Sequence, residues 1–230
     1  MKNIILISGK MQSGKSQFAD YLKAELLSKG KTIRTDLFAK DLKQGCLEDF
    51  TYMTKQINEH IEKIKSYIND EGLDSFDEVT KLLNDLTVTK EENWYEEKTL
   101  ISRLLLQTYG TQIFRNRVDE NHWVNQVLKR FFESGEDFTL VTDTRFENEV
   151  EWVKECCDKE NQNETIVDIN GSVNVITVRI NREFKENALL LHDSETGLDD
   201  YLKWDYKVNN NGMLEDLQAV ARSLSNLIGE

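Results

Sequence analysis

Eight residues near the amino terminus have the types and the spacing of a phosphate-binding loop. The stretch Gly9–Ser16 fits the pattern G-x-x-x-x-G-K-[ST], in which glycines turn backbone N–H groups inward around phosphate oxygens. The lysine of the pattern reaches the β- and γ-phosphates, and the final hydroxyl takes one position on Mg²⁺. We therefore predict that the loop binds a nucleoside triphosphate together with Mg²⁺. The predicted contacts come from Gly9, Gln12, Ser13, Gly14, Lys15 and Ser16.

The flanking sequence has the order that such a loop requires. Asn3–Ile7 is a short, continuous apolar run, which is typical of a strand buried on both faces. After the loop, apolar residues recur at helical spacing from Phe18 to Leu27, and Gly30 provides a stop signal. A glycine-rich turn that binds no ligand is the alternative, and the strand–loop–helix context argues against it.

A second strand leads into a helix that carries two lysines. Residues Thr32–Phe38 predict the strand, and the helix that starts at Phe38 contains Lys40 and Lys43. Residues just past the carboxyl end of a strand in a parallel sheet face the ligand crevice. Either lysine could therefore meet a second anionic group, and ordinary surface lysines are the alternative.

A third predicted strand ends in an acidic and a basic residue. Asp143 follows Phe138–Thr142, where an acidic residue could order the Mg²⁺ shell or bind the acceptor. Arg145 lies close enough along the chain to clamp a phosphate with two hydrogen bonds. The alternative for Asp143 is a simple cap on the helix predicted over Glu147–Lys159.

Two β-rich runs surround a turn signal in the last third of the chain. Thr165–Ile169 and Val173–Ile180 flank Asn170-Gly171, which is a strong hairpin signal, and the second run should continue into the central sheet. A polar segment at about 180–200 follows and suits a lid that closes over phosphates. It contains His192, and a lone histidine is more often structural than catalytic.

The remaining stretches predict helices. The chain from Gly45 to Glu97 is polar and helical in pattern, and Leu100–Phe114 continues the helical pattern with Ile113 as an expected core residue. Gly110 lies inside this pattern, where a glycine usually serves a close approach. Apolar residues at helical spacing, from Val124 to Phe131, predict a further helix that ends at Gly135. The closing helix, residues 213–228, should bury Leu214, Leu217, Val220, Ala221, Leu224 and Leu227.

Length and charge restrict the class of protein. A chain of 230 residues, 39% hydrophobic and 31% charged, predicts a soluble globular protein, most simply one α/β domain. The formal net charge of −13 argues against nucleic acid or an anionic membrane as a large partner, because both require a basic surface. The three cysteines fit free thiols in a reducing cytoplasm. No apolar run is long enough to span a bilayer.

Three motifs taken together resemble the phage-type deoxynucleoside monophosphate kinases. The first is Gly9–Ser16, and the second is the block Gln107-x-x-Gly110-Thr111 followed by Trp123. The third combines Asp143-Thr144-Arg145 with the later His192-x-x-Glu195-x-Gly197-Leu198. Their order and approximate spacing match the family over nearly the whole chain.

The resemblance implies a P-loop kinase fold, with a central, mostly parallel sheet flanked by helices. It implies a single domain over residues 1–230, a helical substrate-binding insertion at about 44–115 and a small lid at about 180–200. ATP and Mg²⁺ would be the cofactors, and the partner would be a small-molecule deoxynucleoside monophosphate. The location would be the cytoplasm, that of the host if the chain is phage-encoded, and a homodimer is left open.

The resemblance also assigns roles to particular residues. Charge stabilisation and catalysis would involve Lys15, Asp143, Arg145, Arg179 and Arg182, with Ser16 and Asp143 at the metal. Phosphoryl transfer is mainly positioning and charge stabilisation, so clustered cations matter more than a strong base. The acceptor would contact Lys43, Gly110, Thr111, Arg115, Trp123 and Glu195.

Two other interpretations remain open at this point. The segment Ser194–Asp199 also resembles a motif of the animal-type phosphomevalonate kinases, which share a P-loop and an Asp-Thr-Arg strand end. A P-loop regulatory protein with negligible phosphoryl transfer is the other alternative. Its loop would lack converging arginines near the strand ends, so Arg145, Arg179 and Arg182 argue against it.

Overall fold

A computed structural model describes residues 1–49, 106, 108–161, 172–183 and 196–229. The chain divides into two units, one of Met1–Phe38 with Glu120–Glu230 and one of Ala39–Asp119. The predicted insertion falls within the second unit, and most of it lies outside the described residues. The same holds for the first run of the predicted hairpin and its turn, for Gln107 and for most of the predicted lid, including His192 and Glu195.

The first unit is built on a five-stranded sheet in the order β2-β3-β1-β4-β5. All neighbouring pairs are parallel, which confirms the predicted α/β fold with a central parallel sheet. The strands are β1 Lys2–Ser8, β2 Ile33–Asp36, β3 Phe138–Thr144, β4 Val173–Asn181 and β5 Tyr206–Asn209. β1 lies in the centre, which explains why its sequence is a continuous apolar run.

Helices cover both faces of this sheet. They are α1 Lys15–Ser28, α2 His122–Glu133, α3 Glu147–Asn161 and α4 Leu214–Ile228. Side chains alternate along β1, so Ile5 and Ile7 pack with α1 and α4 while Ile4 and Leu6 pack with α2 and α3. The two cores together fix the carboxyl ends of the strands at one edge.

The closing helix buries a narrower face than its sequence predicts. Leu217, Ala221 and Leu224 are buried, as expected. Leu214, Val220 and Leu227 are 59%, 39% and 68% exposed, so the prediction that they face inward was wrong. The contacts of α4 with α1 and with the core on that side of the sheet take up only one side of the helix, so Leu214, Val220 and Leu227 face outward.

The second unit contains two described helical segments. Residues 39–49 form a helix, and Thr108–Arg115 form a π-helix inside the stretch predicted only as helical. A Cβ atom at Gly110 would lie 2.2 Å from Leu42 Cδ1, so this glycine permits the close approach of the two segments. The Tyr109 hydroxyl donates to Asp49 Oδ2 at 2.6 Å and joins them further. Ile113 is exposed, and its prediction as a core residue was wrong.

The helices in the part of the chain that the structure describes do not span a membrane. None of its helices combines the length and the apolar character needed to cross a bilayer.

Candidate active site

The predicted phosphate loop connects the carboxyl end of β1 to the amino end of α1. Gln12 and Gly14 have φ values of +63° and +96°, and Gly14 is the N-cap of α1. A Cβ atom at Gly9 would lie 2.5 Å from the Ile180 carbonyl oxygen, so only glycine fits there. The two glycines of the motif are therefore required by backbone conformation and by contact with β4.

Two side chains of the loop show how it could receive a ligand. Lys15 Nζ donates to the carbonyl oxygens of Gly9 at 2.5 Å and Lys10 at 2.7 Å, which holds the ammonium group over the loop. The buried Ser13 hydroxyl has no hydrogen-bond partner among the described residues. Because a buried hydroxyl normally has a partner, this atom fits a site completed by a ligand oxygen. The next hydroxyl, that of Ser16, belongs to an exposed residue.

The strand order creates the crevice in which such loops bind ligands. β1 lies between β3 and β4, at the point where successive connections leave in opposite directions. Its carboxyl end therefore lies beside Thr144 of β3 and Arg179 of β4, which pair with Ser8. The register between β1 and β3 shifts between Leu6 and Ser8, which places an irregularity next to Asp143.

Asp143 supports the connection that leaves β2. Its Oδ1 accepts a hydrogen bond from the backbone N–H of Phe38 at 2.9 Å. The cap at the start of α3 comes from Glu149, whose Oε2 accepts from the N–H groups of Arg145 at 2.6 Å and Phe146 at 3.1 Å. The capping function that the sequence offered as an alternative for Asp143 thus belongs to Glu149. A glutamate in the first helical turn is the signal that could have identified it.

Arg179 is buried and held by two polar groups. Its guanidinium donates to Ser8 Oγ at 2.9 Å and to Asp199 Oδ1 at 2.8 Å, and it lies 5.9 Å from the centre of the Trp204 ring. Asp199 also pairs with Lys10 Nζ of the phosphate loop at 3.1 Å. One carboxylate therefore joins a strand end to the loop.

A cavity of about 510 Å³ opens beside this network. Its cationic lining residues are Lys10, Arg179, Arg182 and Lys207. Among the described lining residues only Glu183 and Asp199 oppose them, so the described part of the cavity is basic in a strongly acidic chain. Arg182 is exposed and has no hydrogen bond or ion pair within the described ranges. The cavity could thus receive an anionic ligand.

Aromatic side chains form one wall of the cavity. Tyr201 and Trp204 lie edge to face with ring centres 5.0 Å apart. The Tyr201 hydroxyl donates to Glu151 Oε1 at 2.7 Å, and Lys203 Nζ donates to the same oxygen at 3.1 Å. The Tyr201 hydrogen bond, together with Lys203, lowers the pKa of Glu151 below its usual value. Burial, followed by this bond, raises the pKa of Tyr201.

The predicted acceptor residues fall into both units. Lys43, Thr111 and Arg115 are half-buried in the second unit, where Gly110 is buried against Leu42. Trp123 belongs to α2 in the first unit, where it is buried and packs edge to face on His122 at 4.6 Å. Glu195 lies outside the described residues.

No signal in the sequence indicated the cluster around the buried Asp36 at the end of β2. Asp36 accepts hydrogen bonds from Arg130 Nε at 2.8 Å, from Arg34 at 3.0 Å and from the Leu37 N–H at 2.8 Å. A second bond from Arg130 reaches Asp36 Oδ1 at 3.0 Å. The cluster joins β2 to the last turn of α2. It ends the strand at Asp36, two residues before the predicted end.

The structure allows a Mg²⁺ site of the kind that the motif predicts. No group of three or more His, Cys, Asp or Glu residues that could hold a metal occurs in the described part of the chain. A Mg²⁺ ion bound with a nucleotide needs no such group, because phosphate oxygens and water supply most of its ligands. The exposed Ser16 hydroxyl and the half-buried Asp143 carboxylate suit that donor set.

Comparison with known families identifies a related sequence family. The sequence model described as deoxynucleotide monophosphate kinase matches residues 36–220. This range begins at the end of β2 and reaches into α4, so it covers well over half of the chain but begins after the phosphate loop. A search of curated proteins finds no match.

Proposed function

The chain belongs to the deoxynucleotide monophosphate kinase family, and from that premise we propose that it transfers the γ-phosphoryl group of ATP to a deoxynucleoside monophosphate. The products would be the diphosphate and ADP. The observation that carries the proposal is the glycine-dependent loop Gly9–Ser16, which lies at the carboxyl end of the central strand beside a basic cavity. Because this loop lies before the family match, it supports the proposal independently.

The loop would bind the donor. Lys15 would exchange its contacts with the loop carbonyls for the β- and γ-phosphates, and the backbone N–H groups around Gly14 would surround the phosphate oxygens. Ser16 and Asp143 would hold Mg²⁺ directly or through water. The metal supplies charge neutralisation between the β- and γ-phosphates.

Three arginines would stabilise the charge that develops during transfer. Arg145 lies just beyond the end of β3, and Arg182 lines the basic cavity with an exposed side chain. Arg179 is held between Ser8 and Asp199, so we expect it to contribute a fixed positive charge while Arg182 moves to the phosphates. Phosphoryl transfer needs such charges more than it needs a strong base.

The acceptor side of the proposal rests on the second unit. Lys43 and Arg115 would bind the acceptor phosphate, and Thr111 would donate or accept one hydrogen bond. Gly110 would act through the packing that it permits against Leu42. Trp123 and Glu195 complete the proposed acceptor set. The family acts on small molecules, and we propose a cytoplasmic enzyme that requires neither a nucleic acid polymer nor a membrane and could act as a homodimer.

A coupled assay of ADP release tests the proposal. ATP and Mg²⁺ are supplied with dAMP, dGMP, dTMP, dCMP, hydroxymethyl-dCMP, GMP or phosphomevalonate in separate reactions. We expect turnover with one or more deoxynucleotides and none with phosphomevalonate.

Two results of this assay would contradict the proposal. Turnover with phosphomevalonate alone would show that the chain acts as a phosphomevalonate kinase. Binding of ATP without turnover of any acceptor would favour a regulatory protein.

A further inference from the structure

Asn210 is a buried residue that contacts the phosphate loop from outside the motif. It follows β5 directly, within the run Asn209–Asn211. Its Nδ2 donates a hydrogen bond to the carbonyl oxygen of Ser13 at 2.9 Å, and both residues are buried. A buried amide with a defined partner in the loop requires an explanation that the proposed catalytic residues do not provide.

The backbone of Asn210 is fixed to the sheet. Its N–H donates to the carbonyl oxygen of Asn181, the last residue of β4, at 2.7 Å. The next residue, Asn211, accepts a hydrogen bond from the N–H of Glu183 at 2.8 Å. These two hydrogen bonds hold the Asn210 backbone at the end of β4, and the side-chain amide connects this position to the phosphate loop.

Gly14 and Asn210 fit each other closely. A Cβ atom at Gly14 would lie 2.3 Å from Asn210 Nδ2, and Gly14 has a φ of +96°. Two effects therefore favour glycine at position 14. A side chain would be strained by the backbone conformation, and it would displace the asparagine.

The bond to Ser13 fixes the orientation of one peptide group. In a trans peptide the carbonyl oxygen and the following N–H point to opposite sides, so holding the Ser13 carbonyl also sets the direction of the Gly14 N–H. The N–H groups of such a loop are the atoms that receive phosphate oxygens. We infer that Asn210 is a positioning residue for the donor nucleotide, acting through the Ser13–Gly14 peptide without touching the nucleotide. This inference rests on the proposed function, because that function makes the loop a donor site.

The substitution Asn210→Asp tests the inference with little change of shape. It replaces the donating amide by a carboxylate oxygen that faces the Ser13 carbonyl. Asn226→Asp is the matched control, because Asn226 is exposed on α4 and its side chain accepts a hydrogen bond from Lys29 at 2.8 Å. We expect N210D to raise the KM for ATP about tenfold or more, the factor typical of a lost buried hydrogen bond. The KM of N210D for the acceptor should stay within about twofold of the wild-type value, which is the range expected for a substitution away from the acceptor site.

Hydrogen exchange gives a second readout that does not require activity. We expect the amides of residues 13–16 to exchange faster in N210D than in N226D, with the exchange of the central strands unchanged. If N210D fails to fold, Asn210→Ala takes its place in both measurements. An ATP KM and a loop exchange rate equal to those of N226D would overturn the inference.

Failure of the proposed function would be recognised separately. Wild-type protein would then turn over no acceptor, and the exchange comparison alone would decide the role of Asn210. Faster exchange confined to the loop would still support positioning by Asn210, and equal exchange would overturn it.

Discussion

Two clusters of polar groups at the same edge of the sheet differ in how they are satisfied. At the end of β2, both carboxylate oxygens of Asp36 receive hydrogen bonds from protein groups, and Arg130 uses two of its donors on them. In the phosphate loop, the buried Ser13 hydroxyl has no partner among the described residues, and Lys15 rests on carbonyls of its own loop. The first cluster is complete in the protein alone, whereas the second would be completed by the donor phosphates that we propose the loop binds.

The difference separates structural polar groups from ligand-binding ones. A buried network whose members satisfy each other stabilises the fold, because removing one partner leaves another buried and unsatisfied. A buried hydroxyl without a partner in the protein forms its hydrogen bond only when a ligand supplies one, so it favours ligand binding and not folding. Substitutions in the first cluster should therefore change stability, and substitutions in the second should change activity.

The largest effect on activity is expected from Lys15→Ala. It removes the ammonium group proposed to bind the β- and γ-phosphates, and turnover should fall at least about a thousandfold. The melting temperature should change little, because the hydrogen bonds from Lys15 Nζ to the carbonyls of Gly9 and Lys10 stay within one loop. ADP release and a thermal melt measure the two quantities, with Lys129→Ala on the exposed face of α2 as the control. A variant with wild-type rates would disprove the donor assignment of the loop.

The largest effect on stability is expected from Arg130→Ala. It removes two of the hydrogen bonds to Asp36, whose side chain is 1% exposed. Breaking such a buried pair typically costs about 3–5 kcal/mol of the free energy of unfolding. Urea denaturation measures the loss. A cost below about 1 kcal/mol would show that the cluster is not a closed structural network.

Arg145→Ala should give a smaller loss of activity than Lys15→Ala. The residue lies at the end of β3, and its backbone N–H would keep its bond to Glu149 after the substitution. Loss of one charge-stabilising group commonly costs about 2–4 kcal/mol in the barrier, so kcat should fall more than about tenfold. Steady-state kinetics at saturating substrates measure this. An unchanged kcat would remove Arg145 from the proposed site.

Local sequence signals were sufficient to predict the strand–loop–helix unit, whereas the central parallel sheet was predicted from the family resemblance. The continuous apolar run of β1 and the spacing of Gly9–Ser16 depend only on neighbours along the chain. Both are found where the sequence places them. The exposed apolar residues of α4 show the limit of periodicity, since helical spacing does not reveal how wide the buried face is.

Contacts between distant residues could not be predicted in the same way. Asp36 and Arg130 are 94 positions apart, and Asn210 and Ser13 are 197 positions apart. Neither pair has a local signature, because each depends on the strand order that brings the elements together. Asp199 belongs with them, since its bridge between Lys10 and Arg179 follows from the placement of residues 196–204 beside β4.

A smaller effect is expected in the pH dependence of stability. It concerns Glu151, whose carboxylate is hydrogen-bonded within the protein, as that of Asp36 is. The hydrogen bond from Tyr201, followed by Lys203, holds the pKa of Glu151 below its usual value of 4.5. The ionised group therefore stabilises the folded state above pH 4.5, and this contribution is lost as the pH falls through the lower folded pKa.

Melting temperatures measured between pH 7 and pH 3 would test this effect. Tyr201→Phe should bring the pKa of Glu151 closer to its usual value and reduce the loss of stability in acid. Glu151→Gln should abolish the contribution of this carboxylate to the loss of stability in acid. A Y201F profile parallel to that of the wild type would assign the acid sensitivity to other groups.

The smallest effect is expected from Arg222→Ala, which sharpens the comparison with Arg130. Arg222 Nε lies 3.0 Å from Glu25 Oε1, nearly the same separation as the 2.8 Å between Arg130 Nε and Asp36 Oδ2. The two pairs differ in burial, because the Arg222 side chain is 60% exposed and that of Arg130 is 16% exposed. Water replaces the lost partner at the surface, so R222A should cost less than about 1 kcal/mol by urea denaturation. If R222A and R130A cost the same, burial would not be what distinguishes the closed cluster from an ordinary ion pair.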